Sequence, residues 1–483
     1  MTNSALGMAW DALTPYQKHL VTFVLPESRA EVYQADDIQA FLQRHGTRSG
    51  IYHAVGMLYR NEGADRKNAQ LVMRDLLKLQ YNIPGEKNHG MWRTGVGKDR
   101  EDQNWREFVG VGFIMAREYF GHVLDPDLVR DMDEALIRAA QGASVRDVSP
   151  EYTNIALMSA FLLNYTGHIA SNPAFIEQGK NKAKAILDLF FQYNTFTEFN
   201  SPTYYGTNFL GLGLWRELGK SSELRTWAQE IETVFWKQIA QCYHAGLKNL
   251  CGPYVRGYGM DMTQYAALVG LCIAMGLEDG EHAPLPNTKD RAFEWAYAPL
   301  FALLNVKPPK DLLDQFKTFS ESREVLYQIP HRKKVFQAQV LLEPTWIMGA
   351  ATGMRRRWNQ HCPGTVHWAV GNQVAWLLVE GENAAEVKIE DRKLHIYLTE
   401  PDAAFPLRIL IYAPDADLKT IADATWTLPG MTFQVETPLS SPQVQMIEDQ
   451  RFGDVMEVTF PISSTLTTDR PVLVLSPYKT ERH

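Results

Sequence analysis

The sequence predicts an α+β chain of two parts, an N-terminal (α/α) toroid, incomplete as an α/α barrel, followed by an antiparallel β-sandwich. Three observations predict it. Up to about residue 330, apolar residues recur at three- and four-residue spacing. Beyond it come short runs of Val, Leu, Ile and Thr that alternate or are briefly continuous, cut by Pro, Gly, Asn and Asp. Finally, four stretches that mix aromatics with Asn, Asp or Arg recur about every fifty residues, each just before or at the start of an expected helix.

The periodicity places helices at roughly 36–45, 68–79, 105–120, 127–141, 151–166, 174–193, 203–218, 222–245, 260–276 and 291–304. Leu128, Met132, Ala135, Leu136 and Ala139, for example, fall on one helical face. Strands are expected at "KVFQAQVLL", "TVHWAVGNQVAWLLV", "AEVKIEDRKLHIYLT", "LRILIYA", "FQVET", "DVMEVTF" and "PVLVLS". The segment 305–334 reads as the connection, which divides the chain into a toroid at 1–328 and a sandwich at 329–483.

The recurring stretches are "EDQNWREF" (101–108), "SPEYTNIAL" (149–157), "NSPTYYG" (200–206) and "GPYVRGYGMDM" (252–262). Asn104, Asn154 and Tyr204 are 50 residues apart, and Tyr258 follows 54 later, with two expected helices in each interval. Such a period means stacked helix hairpins. About six of them close into a ring in which every second helix lies inside and starts at the same end. The four stretches then surround one opening. Taken singly, their Pro, Ser and Asn are also ordinary helix starts, and their tyrosines ordinary gap-fillers.

Composition narrows the function. A hydrophobic share of 45% with 22% charged residues is that of a globular protein, and a net charge of −8 offers no basic excess for nucleic acid. Cys242, Cys251, Cys272 and Cys362 lack CxxC spacing, so neither a disulfide scaffold nor a zinc ribbon is expected. No stretch is apolar for long enough to cross a membrane. "MTNSALGMAWDALTPYQ" has no basic head before an apolar run, so the expected location is cytoplasmic, or outside the cell if a leader has been removed. No cofactor or metal is expected, and the oligomeric state is not legible.

The most specific local pattern is "YVRGYG", where Arg256 stands two residues from both Tyr254 and Tyr258 between glycines that would leave room for a substrate. The alternative is an arginine packed on aromatic faces. With the fifty-residue Asn, Tyr and Arg stretches and the sandwich, the chain resembles the (α/α)-toroid polysaccharide lyases, the chondroitin, hyaluronate, heparinase II/III-like and alginate lyase group. The resemblance implies β-elimination at a uronic acid, with an Asn, a Tyr or His, and an Arg acting together. It assigns those roles to Asn154, to Tyr204 or Tyr258, and to Arg256. One departure is that no His lies between Asn194 and Gly206, where several members keep one. The chemistry suits these residue types. Asn and Arg stabilise the enolate-like state of the uronate, and a tyrosine whose pKa a nearby cation lowers can serve as base and acid.

His89 and Trp92 in "NHGMWRTG", Asn104 with Trp105, and Asn200, Tyr205, Tyr254 and Asp261 are expected to contact an acidic oligo- or polysaccharide. "RRRWNQHCPGTVHW" (355–368) reads as a solvated charge run that could instead meet an acidic substrate, or hold a metal through His361 and His367. Two other classes remain open. A glycoside hydrolase would use Asp261 and a second carboxylate such as Asp102, Glu151 or Glu198, and a non-catalytic sugar-binding protein would keep the aromatics alone. A terpene-type cyclase lacks its DDxxD-like run.

Overall fold

The computed structural model describes residues 7–97, 101–288, 292–331, 334–354, 358–463 and 469–479. Helices fill the first part: α1 (Pro15–Thr22), α2 (Ala35–Arg60), α3 (Asp65–Lys78), α4 (Trp105–Phe120), α5 (Pro126–Arg146), α6 (Thr153–Ile169) and α7 (Pro173–Tyr193). They continue with α8 (Pro202–Leu218), α9 (Ser222–Cys242), α10 (Leu268–Leu277), α11 (Ala292–Trp295), α12 (Ala298–Leu303) and α13 (Leu313–Lys317). Helix α2 touches α4, and the contacts pass on through α6, α8, α10 and α12 back to α2, closing an inner ring. Helices α3, α5, α7 and α9 back it from outside, each on the inner helix before it. The toroid is incomplete in its last hairpin, where α12 has 6 residues.

Inner and outer helices differ as their surroundings require. Helix α5 buries the single stripe Leu128, Met132, Ala135, Leu136 and Ala139, whereas α10 is buried at every position. The all-round burial explains the one inner segment missing from the sequence reading. Helix α2 does not end near 45 but turns at Gly46 (φ 69°) and runs on to Arg60, buried from Ser49 to Tyr59. With no polar face, that stretch shows no amphipathic period. A methyl on Gly46 would press on the Thr94 carbonyl, so both space and φ call for glycine there. Helix α1 was also missed, although Thr14 and Gln17 form its capping box. Residues 260–267 belong to a loop, not to α10, and the helix expected at 291–304 is divided into α11 and α12.

A two-residue hairpin, β1 (Tyr243–His244) and β2 (Asn249–Leu250), precedes the sandwich. The large sheet contains β3 (Arg323–His331), β4 (Lys334–Glu343), β5 (Trp346–Thr352), β6 (Gly364–Val370) and β7 (Gln373–Val379). It is completed by β10 (Leu407–Tyr412), β13 (Gln443–Asp449) and β14 (Gly453–Phe460), in the order β13-β14-β10-β7-β6-β5-β4-β3. The second sheet holds β8 (Ala385–Glu390), β9 (Lys393–Leu398), β11 (Thr425–Leu428), β12 (Met431–Glu436) and β15 (Leu473–Lys479), in the order β11-β12-β15-β9-β8. Every pairing is antiparallel.

Strand β3 crosses the expected 328/329 junction and occupies part of the segment read as a connection; β5, β11 and β13 were likewise not foreseen. The two parts share a core. Phe336, Ala338, Val340 and Leu342 of β4 pack into the helical cluster, while Leu341 faces the other way into the sandwich core with Val366, Leu377 and Phe433. A strand buried on both faces carries a nearly continuous apolar run, and "VLL" is its trace in the sequence.

Candidate active site

The starts of α6 and α8 and the loop before α10 converge at one opening. Ser201 caps α8, its Oγ accepting from the Tyr204 N–H at 3.4 Å and donating to the Arg256 carbonyl at 2.8 Å. That residue therefore fastens the α8 start to the loop that carries Arg256. The hydroxyls of Tyr204 and Tyr258 lie 2.9 Å apart. The Arg256 guanidinium sits 4.4 Å from the Tyr204 ring centroid and 4.9 Å from that of Trp358. Its Nη1 is 3.4 Å from Glu198 Oε1, its Nε donates to Gln360 Oε1 at 3.3 Å, and Tyr258 donates to the same Gln360 oxygen at 3.4 Å. Behind them Glu198 Oε2 accepts from Asn154 Nδ2 at 2.7 Å and from the Asn154 backbone N–H at 3.3 Å.

Glu198 and Asn154 are buried, whereas Tyr204, Arg256, Tyr258, Trp358 and Gln360 are partly open. Burial pushes the Glu198 carboxyl above the usual range, against the bonds from Asn154 and the charge of Arg256. Burial likewise raises the Tyr204 phenol, and Arg256 offsets that only in part. The expectation that a neighbouring arginine would lower this tyrosine is thus overturned, because desolvation of a phenolate outweighs one partly solvated cation.

The sandwich holds the Arg256 loop. Tyr254 and Cys362 exchange backbone bonds at 3.1 and 2.9 Å, and the Gly257 N–H donates to the Gln360 carbonyl at 2.8 Å. The glycines beside Arg256 serve this contact. A Cβ on Gly257 would strike Cys362 Sγ, one on Gly252 the Thr365 side chain, and one on Gly259 the Tyr265 ring. Gly252 and Gly257 thus admit the sandwich to the loop, and Gly259 admits the Tyr265 ring, where the sequence suggested room for a substrate. The same contact delivers Trp358 and Gln360 to Arg256.

A strip of polar and aromatic side chains continues around the opening. Asn104 Nδ2 donates to the Tyr152 hydroxyl at 2.9 Å, and its Oδ1 accepts from Arg146 Nη2 at 2.8 Å. Tyr152 feels the charges of Arg256 and Glu198. Next to Asn104, Trp105 carries the Arg48 guanidinium 5.3 Å from its ring.

Residues 27–306 match the family described as "Domain of unknown function (DUF8769)". The chain belongs to this family. No curated protein matches it. Among solved structures, the DUF8769 chain is similar to a heparan sulfate lyase mutant from Pedobacter heparinus, at 10% identity and a TM-score of 0.38 over 94% of this chain and 79% of the other. It is similar also to the chondroitin AC lyase of Streptomyces coelicolor A3 in complex with chondroitin sulphate, at 11% identity and a TM-score of 0.43 over 97% and 82%. A structure titled "Glycoside hydrolase" matches at 10% identity and a TM-score of 0.32 over 98% and 76%. Likenesses this distant assign no residue a role, so the reading of this DUF8769 protein rests on its own geometry.

Of the residues singled out in the sequence, Asn154, Tyr204, Arg256 and Tyr258 meet in one bonded cluster, and Asn104 and Trp105 lie on the strip beside it. Five others are placed differently. His89 is buried, bonded to Gln141 at 2.9 Å and to the Ile83 N–H at 3.2 Å, and Trp92 is buried against Phe113. Their glycine-flanked loop is pressed onto α5, since a Cβ on Gly90 would overlap the Arg138 carbonyl. Tyr205 is in the core, accepting from Gln238 Nε2 at 2.8 Å and from the Asn200 N–H at 2.6 Å. Asn200, at φ 51°, spends its Nδ2 on the Cys251 carbonyl at 2.6 Å. Tyr254 is buried and donates to the Leu250 carbonyl. All five are buried in structural contacts and do not present their side chains at the opening.

Asp261 lines a different pocket, of about 280 Å³, with Tyr265, Trp376, Tyr412, Arg451 and Phe452. Arg355–Arg357 lie outside the described residues. Among the described residues, no group of three or more His, Cys, Asp or Glu side chains is arranged to hold a metal, and no helix is long and apolar enough to cross a membrane. Trp358, Gln360, Tyr152 and Arg48 are the site residues that the sequence reading did not single out as binding or catalytic, and Glu198 was named there only as a second carboxylate for a hydrolase. Tyr152 lay within the recurring stretch 149–157 and Trp358 and Gln360 within 355–368, whereas Arg48 lay in no stretch that the sequence reading marked.

Proposed function

We propose that this protein is a carbohydrate lyase that cleaves a uronic-acid-containing poly- or oligosaccharide by β-elimination. The observation that carries the reading is the 2.9 Å hydroxyl pair of Tyr204 and Tyr258 beside the Arg256 guanidinium, backed by buried Asn154 and Glu198. Arg256 and Glu198 receive the uronate carboxylate. Glu198, whose burial favours the protonated form, donates a hydrogen bond to it in company with Arg256, 3.4 Å away. One phenol, as phenolate, takes the C5 proton. The C–H electron pair becomes the C4–C5 double bond, the C4–O bond breaks, and the other phenol protonates the leaving oxygen. A proton passing along the 2.9 Å bond then resets the pair. Tyr204, whose burial holds its proton, suits the acid role, which leaves abstraction to Tyr258.

Incubation with uronate-containing glycans should generate the far-ultraviolet absorbance of an unsaturated uronate, which hydrolysis does not produce. Asp261→Asn distinguishes the hydrolase alternative. Because Asp261 lines a separate pocket, the variant should retain turnover within about threefold of wild type. Near-complete loss, with no unsaturated product at any stage, would refute the lyase.

The raised Glu198 carboxyl also predicts a pH effect on binding. Below its pKa, Glu198 is neutral and leaves Arg256 to the uronate. As pH rises through that pKa, it ionises, pairs with Arg256 and repels the substrate, so KM should climb by up to about tenfold per pH unit. In Glu198→Gln, KM should stay flat over the same interval. A parallel rise in the variant would assign the titration to another group.

A further inference from the structure

Arg48 lies two residues past the Gly46 turn in α2, at the same opening, and electrostatically coupled to Tyr204. Four rings surround its guanidinium: Trp105 at 5.3 Å, Phe108 at 5.1 Å, Phe293 at 5.7 Å and Tyr297 at 5.9 Å. None of its N–H donors has a hydrogen-bond or ion-pair partner among the described residues. Glu294, the carboxylate that acts on it most, does so only through space. An arginine in an aromatic cage with every donor unspent differs from the other arginines of the site, where Arg146 and Arg256 both hold acceptors.

The guanidinium borders a pocket of about 200 Å³ that Gly46, Ser49, Thr94, Trp105 and Phe293 also line. Of the lining residues, Trp105 also has a buried indole Nε1–H with no hydrogen-bond partner among the described residues. His45, also on the wall, is pushed down to about 4 by burial and by Arg44 and is neutral near pH 7. Among the described residues, no carboxylate lines this pocket. A planar cationic fork, an indole N–H and the Ser49 hydroxyl together match an oxyanion that can accept several bonds at once.

We propose that this pocket is a second anion subsite, in which Arg48 and Trp105 bind a carboxylate or sulfate on a sugar flanking the one held by Arg256. The strip Arg48, Trp105, Asn104, Tyr152 and Arg256 then spans the opening with a cation at each end, and the preferred glycan carries at least two anionic groups. The inference uses the lyase reading only in taking the opening as the glycan site.

Three tetrasaccharide probes test it by calorimetry on the Tyr258→Phe protein, so that binding is read without turnover. One has two uronates, one has a single uronate with the other reduced to the alcohol, and one is this reduced form carrying an O-sulfate. The reduced probe should bind at least tenfold more weakly than one of the other two, the scale of a charge-assisted bond. Preference for the two-uronate probe assigns the pocket to a carboxylate, and preference for the sulfated one to a sulfate. Arg48→Gln should erase the preference while the reduced probe binds as before. Trp105→Phe, which keeps the ring over Arg48 and removes only the N–H, should reduce it about threefold or more, and it decides the matter if Arg48→Gln does not fold. A preference unchanged in these variants, or its absence in the parent, would overturn the subsite. Absence of unsaturated product together with an Arg48-dependent preference would defeat the lyase reading and leave the subsite standing.

Discussion

Tyr258→Phe is expected to lower turnover by roughly 10²–10⁴, the range for a positioned acid–base group. The substitution removes one oxygen from a partly open hydrogen-bonded pair and keeps the ring that packs against Tyr204, with centroids 5.8 Å apart, so thermal unfolding should shift little. Tyr204→Phe should lose a similar factor on natural glycans, yet the two variants should part company on an activated substrate. An aryl leaving group needs no protonation. Tyr204→Phe, lacking the proposed acid, should recover most of its turnover on such a uronide, and Tyr258→Phe, lacking the base, should not. Rescue of the opposite variant would exchange the two roles. Full activity in both variants would remove the phenols from the chemistry.

Gly349→Ala should be the most damaging single change outside the catalytic cluster. On β5, a methyl at this position would overlap the Gly252 carbonyl and crowd Pro253, both in the backbone of the loop that leads to Arg256. Backbone cannot rotate away as a side chain can, so the strand and the loop must separate. The expected destabilisation is about 3 kcal/mol, at the upper end for overpacking, and Tm should fall by several degrees. Turnover should fall by about 10²-fold as well, because displacement of the loop by an ångström moves Arg256 relative to Tyr204. Gly121→Ala is the control, since its added methyl meets nothing within 4 Å and should leave both measurements near wild type. Normal activity in Gly349→Ala would show that the sandwich does not position the loop.

What could be read in the chain follows the range of the interactions concerned. The fifty-residue phase brought Asn154, Tyr204 and Tyr258 to one opening because helix length and hairpin connection are local properties that add up along the chain. His89 and Trp92 were misread because a glycine-flanked loop has the same sequence whether its glycines face solvent or a neighbouring helix. At Gly90 the backbone of α5 decides. Tyr204 and Tyr205 are adjacent in sequence and on one helix, but successive helical residues point about 100° apart. One therefore reaches Tyr258 and the other the core at Gln238.

The sequence alone determined the two-part architecture, the ring of hairpins and the candidates at its helix starts, since periodicity, capping and turn residues act over a few positions. Tertiary structure alone decided the character of the site. Glu198 is raised by burial among distant segments, and the partners that oppose this, Asn154 and Arg256, lie 44 residues before and 58 after it. Gln360 and Trp358 reach Arg256 only because the sandwich pairs Cys362 with Tyr254. Arg48 has its aromatic cage only because the ring returns α12 to α2. Burial and charge pairing are sums over neighbours from distant segments, and no local pattern encodes them.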